Sequence, residues 1–194
     1  LTRTVIWRTP AGKRVRIRSS RMVSFTDRHL ALMEIEVTLL SGGDAPVVVT
    51  SQIVNRQDGY TDYRRPETRG ESWDPRRSAA FNGRVLQPEF HWDQGRRMVM
   101  AYQTSSSGMT IAVGADHYID TENPFEAISS TEDDVGKQVF RVAAAEGVPV
   151  VVRKAVAYHT SRGVPGEELS DRCRRTLDRV RDNGFEHYHD KQRA

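Results

Sequence analysis

Alternation of apolar and polar side chains dominates the first 160 residues, and it starts at once. Residues 3–8 and 13–25 read as the arms of a β-hairpin around Thr9-Pro10-Ala11-Gly12, where proline followed by glycine marks a turn. In the second arm Val15, Ile17, Val23 and Phe25 share one face and Arg14, Arg16 and Arg18 the other, the period of two that a half-buried strand requires. Residues 30–40 repeat it, with Ala31, Met33, Ile35, Val37 and Leu39 opposite Glu34, Glu36 and Thr38. Gly42-Gly43-Asp44 then turns the chain into a β-branched strand over 46–54, and connections this short predict an antiparallel meander. Further strands are expected at 88–93, 96–104 and 109–118. Two more, at 137–144 and 148–160, are separated by Glu146-Gly147 and read as a hairpin.

The period then changes. Leu169, Cys173, Leu177 and Val180 line one face of an amphipathic helix, with Pro165 and Glu167-Glu168 at its start and Asn183-Gly184 at its end. A second helical stretch begins near Phe185. Nine or ten strands in one domain predict an all-β, antiparallel two-sheet sandwich over residues 1–160, followed by linker helices over 161–194.

From Asn55 to Pro88 the alternation collapses, and nine arginines fall between Arg56 and Arg97. Loops this long are usually functional or disordered. Such a segment has no core of its own, so Tyr60, Tyr63, Trp73 and Phe81 can order it only by docking, and residues 56–80 are expected to be either the most mobile part of the fold or the centre of a self-association contact. Composition sharpens the picture: of 29 basic residues 25 are arginine and four are lysine, against 26 acids, for a net charge of +3. With acids and bases so nearly matched, a pI of 9.2 makes only a weak case for nucleic acid, and no nucleic-acid partner is expected. Residues 116–134 hold seven acids and neither lysine nor arginine. Arg14, Arg16 and Arg18 repel one another unless answered, so at least one should pair with a carboxylate, and 116–134 is the nearest supply by composition.

Mean hydropathy is −0.62 and no apolar run approaches the roughly 18–20 residues that span a bilayer, so no transmembrane helix is expected. The first 20 residues are basic and hold no secretory h-region, so the cytoplasm is the expected compartment and no membrane partner is expected. The single cysteine, Cys173, excludes an internal disulfide and a cysteine-based zinc site. The chain opens at Leu1 directly into a strand and stops in a polar helical run, so we expect a fragment of a longer protein.

Several motifs in order resemble the N-terminal domain of glycoside hydrolase family 65. They are the run from Trp7 to Arg21, Ser51-Gln52-Ile53-Val54-Asn55-Arg56-Gln57, Asp74-Pro75-Arg76, and Gly184-Phe185 near the end. The family includes maltose, trehalose and kojibiose phosphorylases and related trehalases. The resemblance implies an antiparallel β-super-sandwich that precedes an (α/α)6 barrel, joined by linker helices. The general-acid glutamate and the phosphate-binding residues belong to that barrel, so no catalytic residue carries over to a position here. Its implied partners are the barrel of the same polypeptide, a second subunit in a homodimer, and an α-glucoside disaccharide bound by the parent enzyme.

The residues themselves give the same non-catalytic reading. Asp58, Asp62 and the Glu132-Asp133-Asp134 run are carboxylates, but none has an apolar pocket that would raise one pKa as a general acid needs. His187 and His189 are two apart on a helix and point away from each other, so no metal site is expected, and no cofactor. Cys173 sits on the helix's apolar stripe as a small buried hydrophobe. Trp7, Phe90, Trp92 and Tyr102 lie on strands and are expected in the core. Tyr60, Tyr63 and Trp73 remain as contacts for the barrel, a second subunit or a sugar face. The alternative is an autonomous module that binds carbohydrate or a polyanion.

Overall fold

The computed structural model describes residues 1–55 and 85–193. Ten strands form two antiparallel sheets, as the alternation predicts. The strands are β1 (Thr2–Arg8), β2 (Arg14–Val23), β3 (Leu30–Ser41), β4 (Ala45–Val54), β5 (Leu86–Gln94), β6 (Arg97–Thr104), β7 (Met109–Asp120), β8 (Phe125–Thr131), β9 (Val135–Ala144) and β10 (Val150–Arg162). Helix α1 spans Gly166–Arg193. The seven-stranded sheet runs β1-β2-β3-β10-β7-β6-β5 and the three-stranded sheet runs β4-β9-β8.

Two expectations about connectivity are corrected. β9 and β10 are not a hairpin: β9 pairs with β4 and β8, while β10 pairs with β3 and β7. Nor does β4 continue the meander, since it crosses into the small sheet. Both strands after these short turns are apolar on a face that must be covered, and changing sheet buries it face to face. A third correction is β8, a strand inside the acidic stretch, where alternation is too weak to announce it.

Each face of the large sheet has its own core. On one face Val15, Val37, Leu39, Val150 and Val152 meet Phe140, Val142 and Ala144 of the small sheet. On the other, Leu30, Leu32, Val99, Ala101, Ala112, Ala155 and Ala157 meet Leu169, Cys173, Leu177 and Val180 of α1. The predicted helical stripe is therefore fully buried, at roughly 1.5–3 kcal/mol for each large side chain. Cys173 is in it as expected, its thiol pushed up to about 12 by burial. Gly114 lets the helix close on β7, because a Cβ there would lie 3.0 Å from Leu177 Cδ1 and 3.1 Å from Cys173 Cβ. The predicted break falls at Gly184 (φ 78°, ψ 163°), a conformation essentially reserved for glycine, and a second helical segment follows it.

Of the four strand aromatics, Tyr102 is buried but Trp7 is 53% exposed, because the small sheet does not reach as far as β1. Phe90 and Trp92 are partly covered and lie beneath the Arg174 guanidinium. Val23 and Phe25 also stay exposed beyond the end of the small sheet. The expectation for Arg14, Arg16 and Arg18 holds, with a different donor of charge: Arg16 pairs with Glu36 of β3 at 2.9 Å rather than with residues 116–134. Cross-strand neighbours on one face are closer than any loop.

Candidate functional site

A polar cluster forms where α1 meets the large sheet. Arg97 opens β6 two residues after the Gly95 turn, and its register partner on β7 is Asp116, so the two side chains share a face. The guanidinium grips that carboxylate with both prongs, Nε to Oδ1 and Nη2 to Oδ2 each at 2.6 Å, and reaches Asp178 of α1 through Nη1 at 2.9 Å. Planar bidentate geometry is what arginine supplies and lysine does not. The bonds to Asp116 hold the Arg97 proton more tightly than usual, against the opposing effect of burial. Tyr118 adds a bond from its hydroxyl to Asp116 Oδ2 at 3.3 Å, and burial, then Asp116, pushes the phenol up to about 12. Phe185, placed by the break at Gly184, meets Tyr118 edge-on at 5.6 Å.

The near end of the helix is held by a second device. The register of β5 slips between Pro88 and Phe90, and the Glu89 carboxylate in that bulge accepts the Gly166 N–H at 2.9 Å. An anion at a helix N-terminus is favoured by the helix dipole. Arg174 stacks over Trp92 at 4.5 Å between these two fixings. A shallow cleft of about 310 Å³ beside them is lined by Trp92, Gln94, Arg96, Tyr118 and Arg181 among others.

The opposite face of β7 carries a different pair. His117 Nδ1 lies 3.0 Å from the Arg96 carbonyl, which can only accept, so Nδ1 bears the proton. Nε2 then accepts from Ser51 Oγ of β4 at 2.8 Å. A serine hydroxyl on a histidine oriented by a third group is the arrangement of an activated nucleophile. Here the imidazole is 3% exposed and lies between the two sheets. The pair is a clasp joining the sheets. Burial first, with the Lys154 ammonium adding to it, pulls the imidazole down to about 4. Lys154 bonds the Gln52 carbonyl at 3.2 Å, and burial lowers its own pKa.

The remaining candidates are also occupied by structural work. His159 stacks on His29 at 4.1 Å and bonds Thr176 of α1 at 3.2 Å. In the acidic run, the Asp133 carboxylate lies 3.5 Å from His91 Nδ1, its backbone carbonyl accepts from Tyr102, and the Asp134 carboxylate accepts from Asn55. Among the described residues no group of three or more His, Cys, Asp or Glu could hold a metal ion, and no helix is long and apolar enough to cross a membrane. Tyr60, Tyr63, Trp73 and Phe81, with Asp58, Asp62 and the rest of 56–80, lie outside the described residues. Sequence reading missed Arg97–Asp116–Asp178 and Ser51–His117 as groups. Each is assembled from residues 19 to 81 positions apart, and only the register brings them together.

The model of the glycosyl hydrolase family 65 N-terminal domain matches residues 1–194. The chain belongs to this family. A Mycobacterium tuberculosis protein named as an uncharacterized glycosyl hydrolase is 30% identical over the whole chain, which covers 23% of that protein. The α,α-trehalose phosphorylase of Thermoanaerobacter brockii is 24% identical over 95% of the chain and 22% of its own length. The fold matches a solved structure, "Putative kojibiose phosphorylase from human microbiome", with a TM-score of 0.70 over 98% of the chain and 22% of that structure, at 10% identity. This family 65 domain thus spans under a quarter of the length of the relatives it matches.

Proposed function

We propose that this domain is the non-catalytic N-terminal β-sandwich of a family 65 glycosidase or disaccharide phosphorylase acting on α-glucosides, and that it supports the catalytic barrel and subunit assembly. One observation carries the reading: the interior carboxylate of the polar cluster, Asp116, is neutralised by the two-pronged grip of Arg97. A general acid needs a carboxyl kept protonated in an apolar setting, and a carboxylate locked on a guanidinium is the reverse. The helix fixed by that same arginine supplies a rigid joint toward whatever follows it.

The experiment is to replace carboxylates of residues 1–194, Asp116→Asn and Glu89→Gln among them, in the full-length protein. Phosphorolysis and hydrolysis of trehalose, kojibiose and maltose are then measured at a temperature where the variants stay folded. Loss of a general acid or base lowers kcat by roughly 100-fold or more. The expected changes in kcat are several-fold at most, accompanied by a lowered Tm. A 100-fold loss of kcat in a variant of unchanged Tm would place a catalytic group in this domain and overturn the reading.

A further inference from the structure

Among the described residues β1 is the edge strand of the large sheet, with all seven of its residues exposed. Its hydrogen-bonding phase is fixed at both ends. Leu1 exchanges both backbone bonds with Arg21, and Thr9 donates to Lys13 O. In an antiparallel pair such residues alternate, so Leu1, Arg3, Val5 and Trp7 turn their N–H and C=O groups toward β2. Thr2, Thr4, Ile6 and Arg8 turn theirs outward.

The two faces beside this edge differ in chemistry. On the face toward the small sheet, Val5 (37% exposed) and Trp7 (53% exposed) continue the apolar rows of Ile17 and Val15 but lie beyond cover. On the helix side, Arg8 stands directly opposite Arg14, with Arg16 and Arg18 next along β2. Like charges opposed across strands are destabilising. Among the described residues Arg16 makes the ion pair with Glu36, which also stands opposite Arg18 in the register, so one carboxylate faces the whole row. The short side chains of Thr2 and Thr4 leave a trough of about 470 Å³ from the edge to Arg16, Arg18 and Glu36.

We infer that β1 is the docking edge for an added strand of alternating acidic and apolar residues, supplied in the whole protein by the same polypeptide from outside residues 1–194. Residues of that strand opposite Thr4, Ile6 and Arg8 place their carboxylates over the trough and the arginines, and the intervening ones cover Val5 and Trp7. A second copy of this edge brings Arg3, Arg8 and the same arginine row, so its charge is of the wrong sign. The matched relatives are more than four times longer than this domain, and a tethered strand has an effective concentration in the millimolar range, about what a free partner would need to reach.

The test is site-resolved amide hydrogen exchange on the full-length protein. The amides of Thr2, Thr4, Ile6 and Arg8 are expected to exchange within about tenfold of those of Arg3, Val5 and Trp7. Combining Arg8→Glu, Arg14→Glu and Arg18→Glu should speed exchange at Thr4 and Ile6 by more than about tenfold while the amides of β3 and β10 stay protected. Free exchange of the four outward amides in the unmodified protein would show an open edge and overturn the inference. So would protection that rises with protein concentration, which marks a second copy, or protection that appears only on adding heparin, which marks a polyanion site. Loss of the β3 and β10 protection in the triple variant would show that the arginines serve the sheet itself, and would overturn their assignment to a partner. None of these outcomes bears on whether the domain is catalytic.

Discussion

Removing one member of the Arg97–Asp116 pair should destabilise the domain far more than removing both. The Arg97 side chain is 15% exposed and that of Asp116 9%. Asp116→Ala leaves a nearly buried guanidinium with one remaining partner, Asp178, itself 41% exposed. A stranded buried charge costs about 3–5 kcal/mol, and the surviving bond to Asp178 puts this variant at about 3 kcal/mol. Arg97→Met strands Asp116 with only the 3.3 Å bond from Tyr118, and should cost about as much. Arg97→Met with Asp116→Leu removes both desolvated charges and fills the space with apolar atoms, an exchange that is often neutral or stabilising by about 1–4 kcal/mol. The double variant should therefore lie within about 1 kcal/mol of the parent, giving a coupling of about 5 kcal/mol or more. Urea unfolding followed by circular dichroism measures all four proteins, and equal m-values confirm that the denatured states are comparable. Single variants that each lose less than about 1 kcal/mol, with an additive double, would refute the premise that this pair is desolvated.

Acid should loosen the sandwich before it touches the carboxylates. His117 falls from its ordinary 6.5 to about 4 on folding, so the unfolded chain binds more protons between these values. Stability is then full above pH 6.5 and lost as pH falls toward 4, by about 3 kcal/mol at most, with His159 acting in the same direction but less because it is more exposed. Urea midpoints at pH 7, 5.5 and 4.5 check this, and His117→Asn should flatten the profile. Leu177→Ala should cost about 2–5 kcal/mol, since the side chain is fully buried between α1 and Gly114, and a Tm series against the parent reads it. Gly184→Ala should cost about 1–3 kcal/mol or straighten the helix, seen as lowered Tm and lost protection at Tyr188.

Sequence by itself determined the elements apart from β8. Alternation over 14–23 and 30–41 and the 4-4-3 stripe of α1 name strands and helix, because each of these elements buries one face and its period shows which residues lie on it. The helix break was legible for the same local reason, since only glycine accepts the backbone found at Gly184. Partnership between elements was not legible. A short link such as Glu146-Gly147 reads as a hairpin, yet β9 and β10 part to opposite sheets, because covering two apolar faces outweighs pairing with the nearest strand. The polar groups followed the same rule. Arg97 and Asp116 were visible only as members of a basic and an acidic stretch. Their union with Asp178, and that of Ser51 with His117, depends on a register that no local pattern encodes. Only the tertiary structure shows which carboxylate answers the arginine row, because Glu36, bonded to Arg16 and opposite Arg18, comes from the neighbouring strand β3 and not from the acidic stretch.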